Sequence, residues 1–414
     1  MSRQKLYFKT FGCRTNIYDT ELMKSYVKDY DIVSSENDAD IVVINSCTVT
    51  NSADSGTRTY INSLKKRGIK VILTGCGAVS KGKELFDKSG IFGVVGASKK
   101  SDINELLNQK QRFFELGDLN SIDKNIVTNY ENHTKAFIKI QEGCNFSCSY
   151  CIIPSVRGKA RSMSEDAIIN EAKILASNGY NELVLTGTNI GSYGKDTNSS
   201  LGLLLARLGK ISGIKRIRLG SIEPSQIDDS FREILLEPWL ERHLHIALQH
   251  TSQQMLTIMR RRNTAFRDIE LFCELADMGF ALGTDFIVGH PGESDEIWSE
   301  ALANFKKFPL THLHAFAYSV RAGTHSASLK LDVKGDVAKA RLKELKDIVA
   351  KNNFEFRKKQ GVLNVLVEQK DGEYYEGFDQ FYNKIFIKTD KDILKEWAVV
   401  EKYDVKLEAN YAKI

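Results

Sequence analysis

Three thiols fall within eight residues, in the run Cys144-Asn145-Phe146-Ser147-Cys148-Ser149-Tyr150-Cys151. This C-x3-C-x2-C spacing follows an apolar, strand-like segment at 137–140 and Gly143. The chain has seven cysteines in all, at 13, 47, 76, 144, 148, 151 and 273. Its first residues lack the apolar core of a signal peptide, and no apolar run approaches the ~20 residues of a membrane helix. A cytoplasmic chain with reduced thiols and no membrane association is therefore expected. Clustered thiols in a reducing compartment are metal ligands or catalytic groups. A structural zinc site wants a fourth ligand close by, and the nearest candidate, His133, lies before the strand. A 4Fe-4S cluster normally takes four cysteines, so three leave one iron open for a reactant.

The rest of the 414-residue chain reads as three α/β or β regions. Hydrophobic residues at 42% and charged residues at 27% exclude collagen-like, coiled-coil and largely disordered readings. In region 1–105, short apolar runs at 5–8, 41–44, 71–73 and 93–96 alternate with helical stretches at 19–29 and 54–67. That is the pattern of an N-terminal doubly wound parallel sheet. Cys13, Cys47 and Cys76 each follow one of its strands within a few residues. Ligands of open parallel sheets bind beyond the carboxyl ends of the strands, so these thiols can meet on one rim. The alternative is three unrelated buried thiols.

Residues 106–134 are polar and read as a linker holding one or two strands. Region 135–355 offers six strands, at 137–140, 183–185, 217–219, 244–248, 281–288 and 313–318. Six repeats are too few for a closed eight-fold barrel, so a partial (β/α)6 barrel is predicted. Ser164 and Ser294 are expected helix N-caps, and Gly179 a helix stop. His243 and His245 alternate on a strand but have no third ligand close in sequence, so they read as structural. Cys273, beside Leu271 and Leu275, reads as a core thiol.

Residues 339–359 hold eight Lys or Arg against three acidic residues, which suits a solvated helix face. Region 356–414 reads as a small β domain. Its Tyr374, Tyr375, Phe378, Phe381, Tyr382 and Phe386 interleave with Lys384 and Lys388. Such aromatics can stack bases or form a small core. The net charge of +5 permits nucleic-acid binding without requiring it.

The cysteine run resembles that of the radical S-adenosylmethionine superfamily, whose open iron binds that cofactor. Further segments resemble the methylthiotransferase family. They are Phe11-Gly12-Cys13 with Asn16, Asn45-Ser46-Cys47-Thr48-Val49-Thr50, Thr74-Gly75-Cys76, Cys151-Ile152-Ile153-Pro154 with Arg157-Gly158, Leu185-Thr186-Gly187 with Asn189, Leu248-Gln249, and Asp285-Phe286-Ile287-Val288-Gly289. The match spans about residues 5–325, and the segment after Asn45 most resembles the threonylcarbamoyladenosine subgroup. The carboxy-terminal region loosely resembles the small RNA-binding (TRAM-like) domain that ends family members.

The resemblance implies two 4Fe-4S clusters and S-adenosylmethionine. Cys144, Cys148 and Cys151 would hold the catalytic cluster, and Cys13, Cys47 and Cys76 the auxiliary one that carries the sulfur. Tyr150 falls where the family places an aromatic near the adenine. Thr186, Gly187, Ser221, Glu223 and Gln249 are the other expected cofactor contacts. The implied reaction places a methylthio group on C-2 of threonylcarbamoyladenosine at position 37 of tRNA. It needs an external electron donor and a sulfur donor, and the amino-terminal rim must face the barrel mouth. Alternative targets are isopentenyladenosine in tRNA or an aspartate of a ribosomal protein. A non-enzymatic iron–sulfur sensor would need no open iron on either cluster.

Overall fold

The computed structural model describes residues 3–123, 125–131 and 133–414. The N-terminal sheet is wholly parallel, in the order β2-β1-β3-β4-β5-β6. Its strands are β1 (Lys5–Thr10), β2 (Asp31–Ile32), β3 (Ile41–Ser46), β4 (Lys70–Gly75), β5 (Gly93–Val95) and β6 (Phe113–Glu115). Alternate residues feed two cores. Leu6, Phe8, Ile41, Val43 and Ile72 pack on one face with Met23 and Ile103, while Val42, Ile44, Val71 and Leu73 pack on the other with Ile61 and Leu85. Apolar side chains on both faces are why these strands read as continuous runs rather than alternations. One strand is not legible in the sequence, since β2 is too short and polar; β6 comes from the 106–134 segment expected to hold one or two strands, and it joins the N-terminal sheet.

The central strands are β7 (Ala136–Glu142), β8 (Arg161–Ser162), β9 (Glu182–Gly187), β10 (Arg216–Leu219), β11 (His243–His245), β12 (Ala281–Val288) and β13 (Leu310–Ala317). Parallel pairing runs β7-β9-β10 and β11-β12-β13. Single parallel bridges, Ile217 to Leu240 and Ile222 to Ile246, join the two halves into one open barrel of six parallel strands. The short antiparallel β8 flanks β7 at one edge, pairing with Gln141 and Glu142. Phe286 meets Trp298 and Phe305 of the helix Asp295–Phe305, so the helices cover the outside of the barrel. Tyr18 and Leu22 of the first helix (Arg14–Tyr26) belong to the same core as the barrel strands. Ser294 caps its helix through the Ile297 amide at 3.3 Å. Ser164 precedes the helix Glu165–Ser177 without a side-chain cap bond.

Cys273 corrects a sequence expectation. It lies on the helix Ala265–Asp277 but is exposed. Asp268, Phe272 and Leu275 define the buried stripe at helical spacing, and Cys273 projects about 100° away from Phe272.

The C-terminal domain is a six-stranded sheet in the order β17-β14-β15-β16-β19-β18. Its strands are β14 (Leu363–Asp371), β15 (Tyr374–Phe378), β16 (Lys384–Lys388), β17 (Trp397–Val400), β18 (Asp404–Val405) and β19 (Asn410–Lys413). The aromatics divide between the two roles left open by sequence. Tyr375 and Phe381 are buried with Val365, Ile385 and Ile387. Tyr374, Phe386 and Tyr411 instead gather on the other face, beside Lys384 and Lys406. Glu182 holds Arg216 and Arg218, which donate to the carbonyls of Asn364 and Asp379 at 2.9 and 2.7 Å and dock this domain on the barrel. No helix among the described residues is long and apolar enough to cross a membrane.

Candidate functional site

The ends of β1, β3 and β4 each deliver a cysteine. Cys13 is the N-cap of the first helix, Cys47 follows β3 directly, and Cys76 opens the helix Cys76–Ser89. The three sulfurs lie close enough for each thiolate to repel the next. Gly12 is what lets them approach. It sits at φ +104°, and a Cβ there would come within 2.6 Å of the Cys47 Cβ. Burial pushes the Cys47 thiol up to about 11 against the backbone amides of Val49 and Thr48, and Cys76 and Cys13 add to the rise. Burial also raises Cys76, opposed by the Arg157 guanidinium.

Cys144, Cys148 and Cys151 lie on the loop after β7. The Phe146 amide donates to the Cys144 sulfur at 3.4 Å, and Asn189 Nδ2 reaches the same sulfur at 3.6 Å. Arg261 Nη1 lies 3.8 Å from the Cys148 sulfur. Burial pushes Cys151 up to about 12, with Cys148 and Cys144 adding to the rise. Buried thiols that repel one another are neutral until a metal displaces their protons. Thiols gathered in this way, with N–H donors aimed at the sulfurs, fit iron–sulfur ligation at both triads.

The other expected cofactor contacts line one mouth of the barrel. Tyr150 packs among Met255, Met259 and Ile287, edge-on to His290 at 6.3 Å. Gly187 ends β9, and a Cβ there would come 2.7 Å from the Gln141 carbonyl. Thr186 shares a hydrogen bond of 3.0 Å with Thr15 of the N-terminal domain. Ser221 is exposed after β10, its hydroxyl 3.4 Å from Asp285 Oδ2. Glu223 pairs with Arg261, which also donates to the Ala247 carbonyl. Gln249 sits at φ +66°, clamped through its own amide and carbonyl to Asp285 and Ile287 of β12 at 2.9 Å each. A side-chain-bearing residue in that region is strained, and such strain gathers at functional sites.

The N-terminal rim faces this mouth. Arg14 donates to the Leu219 carbonyl at the end of β10 and to the Tyr382 hydroxyl. Arg321, beyond β13, pairs with Asp54 and Asn51 of the helix Asn51–Lys66. Arg157, the last residue of the short helix Ile153–Arg157, donates to the Cys76 sulfur at 3.1 Å and to Asp19, Glu142 and Asn16. It is one member of a buried seam. Lys100, Lys139, Arg157 and Arg161 meet Asp19, Asp123 and Glu142 there, linking the N-terminal domain to the barrel. Among the described residues, four cations thus face three carboxylates.

Sequence reasoning misses two features. Arg261 sits inside an Arg260-Arg261-Arg262 run that looks merely basic. His245 does have neighbours with ligand chemistry that its local sequence lacks: strand pairing sets Asp285 and His314 beside it. Both lie far along the chain, so only the sheet register brings them close.

Comparison with known proteins agrees with this layout. The description "Uncharacterized protein family UPF0004" matches residues 5–96, and "Radical SAM superfamily" matches residues 138–303. A Helicobacter pylori protein named "Putative methylthiotransferase" is 48% identical over 99% of both chains. The Aquifex aeolicus "Threonylcarbamoyladenosine tRNA methylthiotransferase MtaB" is 35% identical, over 86% of this chain and 90% of its own. Among solved structures, the radical S-adenosylmethionine methyltransferase TsrM from Kitasatospora setae superposes with a TM-score of 0.61 at 14% identity. That match covers 79% of this chain and 77% of TsrM, a likeness of fold alone.

Proposed function

Because the chain belongs to the methylthiotransferases of the radical S-adenosylmethionine superfamily, we propose that it acts on tRNA, placing a methylthio group on C-2 of threonylcarbamoyladenosine. In this reading Cys144, Cys148 and Cys151 hold the cluster that binds S-adenosylmethionine. Cys13, Cys47 and Cys76 hold a second. The bound groups supply one-electron reduction, a methyl group and sulfur.

The observation that carries the reading is Arg157, which reaches from beside one thiol triad to the Cys76 sulfur of the other. Sulfur insertion needs both centres near one base, and this contact ties the two rims together. Asn189, Arg261 and Arg157 direct N–H groups at ligand sulfurs and orient them. Tyr150, walled by methionines, offers an apolar flank for an adenine. The Tyr374, Phe386 and Tyr411 face, with Lys384 and Lys406, is suited to single-stranded RNA. The Aquifex relative's named substrate and the Asn45-to-Thr50 segment favour the threonylcarbamoyl nucleoside.

Mass spectrometry of tRNA nucleosides from cells with and without the gene tests the substrate. Loss of 2-methylthio-threonylcarbamoyladenosine with a rise in its precursor is expected. An unchanged level of that nucleoside overturns the substrate, and loss of the isopentenyl counterpart redirects it. With purified protein, Cys148→Ala is expected to abolish 5′-deoxyadenosine formation. Cys47→Ala is expected to keep that formation and lose methylthiolation.

A further inference from the structure

Three strands bring together side chains that this reading leaves unused. In the barrel register Asp285 of β12 lies opposite His314 of β13, and His245 of β11 lies opposite Gly283, two residues before Asp285. All three project to the face opposite Phe286, whose ring meets the outer helix, and so to the interior of the barrel. Their donor atoms lie within 4.8 Å of one another.

The two distances from the carboxylate oxygen are those of neighbouring ligands in a coordination shell. His245 Nε2 is 3.1 Å and His314 Nδ1 is 3.4 Å from the same oxygen, Asp285 Oδ1. For metal–ligand bonds of about 2.1 Å, neighbouring ligands stand about 3.0 Å apart at a right angle and about 3.4 Å apart at the tetrahedral angle. His245 is buried, and its Nε2 has no hydrogen-bond partner despite that close approach, so it is off the line of a hydrogen bond to the carboxylate. An unpartnered buried imidazole nitrogen beside a carboxylate has the lone pair and the counter-charge a cation needs. Gly283 clears the space, since a Cβ there would lie 2.7 Å from His245 Nδ1. His314 is exposed and gives a cation its way in.

We propose that His245, Asp285 and His314 form a binding site for one divalent first-row cation of the kind that prefers imidazole, Zn2+ or Fe2+. Two imidazoles and one carboxylate leave coordination positions open toward the barrel interior. None of its three ligands is one of the six clustered cysteines, and it does not depend on which nucleoside the protein modifies.

The test uses the full chain with its iron and sulfide loaded anaerobically, dialysed to equilibrium against Zn2+ alone. Zinc, iron and sulfide are then counted by elemental analysis. One zinc per chain is expected beyond that held by His314→Ala or Asp285→Asn, with binding at least about ten-fold weaker in each variant. His325→Ala, an exposed histidine elsewhere, is expected to bind as the parent does. X-ray absorption at the zinc edge should give nitrogen and oxygen neighbours. Equal zinc in parent and His314→Ala, or a zinc shell made only of sulfur, overturns the proposal. Equal iron content in every variant shows that each is folded and loaded.

Discussion

Glu171 is buried between the Val127 amide, which donates to it at 3.0 Å, and the Tyr18 hydroxyl. Burial pushes its carboxyl up to about 8. The folded state therefore keeps a proton that the unfolded chain releases near pH 4.5. The stability it contributes is complete at low pH and is lost as pH rises toward 8, at about 1.4 kcal/mol per pH unit. Glu171→Gln removes that slope. The stability of the variant relative to the parent is expected to climb between about pH 5 and pH 8, read by urea unfolding across that range. Arg157 makes the opposite kind of prediction. Arg157→Gln leaves Asp19 and Glu142 short of a partner and should cost about 3–5 kcal/mol. It also removes the N–H donor from the Cys76 sulfur, so an auxiliary cluster should become harder to reduce. A potentiometric titration followed by electron paramagnetic resonance, on protein that also carries Cys148→Ala, reads that centre alone. An unshifted potential would show that Arg157 serves only packing.

At the scale of strands and helices, the open face of β15, β16 and β19 carries the expected RNA contact. Phe386→Ala should weaken tRNA binding by about 1–3 kcal/mol, and Lys384→Ala should flatten its salt dependence, both read by filter binding across ionic strengths. The sequence shows this element's strand-like, aromatic-rich character but leaves open which aromatics are buried, and the strand pairing decides it. Alternation through 374–388 separates Tyr375, Ile385 and Ile387 from Tyr374, Phe386 and Lys388, as a half-buried strand must. The cysteine triads are equally legible, because each follows its strand in sequence. What stays hidden depends on phase or register. Cys273 sits one position past the buried stripe of its helix. The β10–β11 junction is held by single bridges rather than a ladder. Asp285 and His314 reach His245 only through pairing between strands, which no local pattern encodes.

For the whole molecule, the decisive relation is the N-terminal rim against the barrel mouth. Arg321 and Asp54 form one tie across it, nearly buried. Arg321→Ala should leave 5′-deoxyadenosine formation in place while methylthiolation falls, because the first needs one centre and the second needs both held together. The ratio of the two products in one assay measures this. An unchanged ratio would mean that the remaining contacts, Thr15 with Thr186 and Arg14 with Leu219, suffice. The seam of buried charge has a consequence for ancestry. Cut between the two halves, one piece would bare Asp19 and Lys100, the other Lys139, Glu142 and Arg157, each on a surface shaped to be dry. Neither half can be swapped for a foreign counterpart without rewriting the other's complement. The two regions are bound to be inherited as a pair, and changes along that seam should come as matched sets rather than one residue at a time.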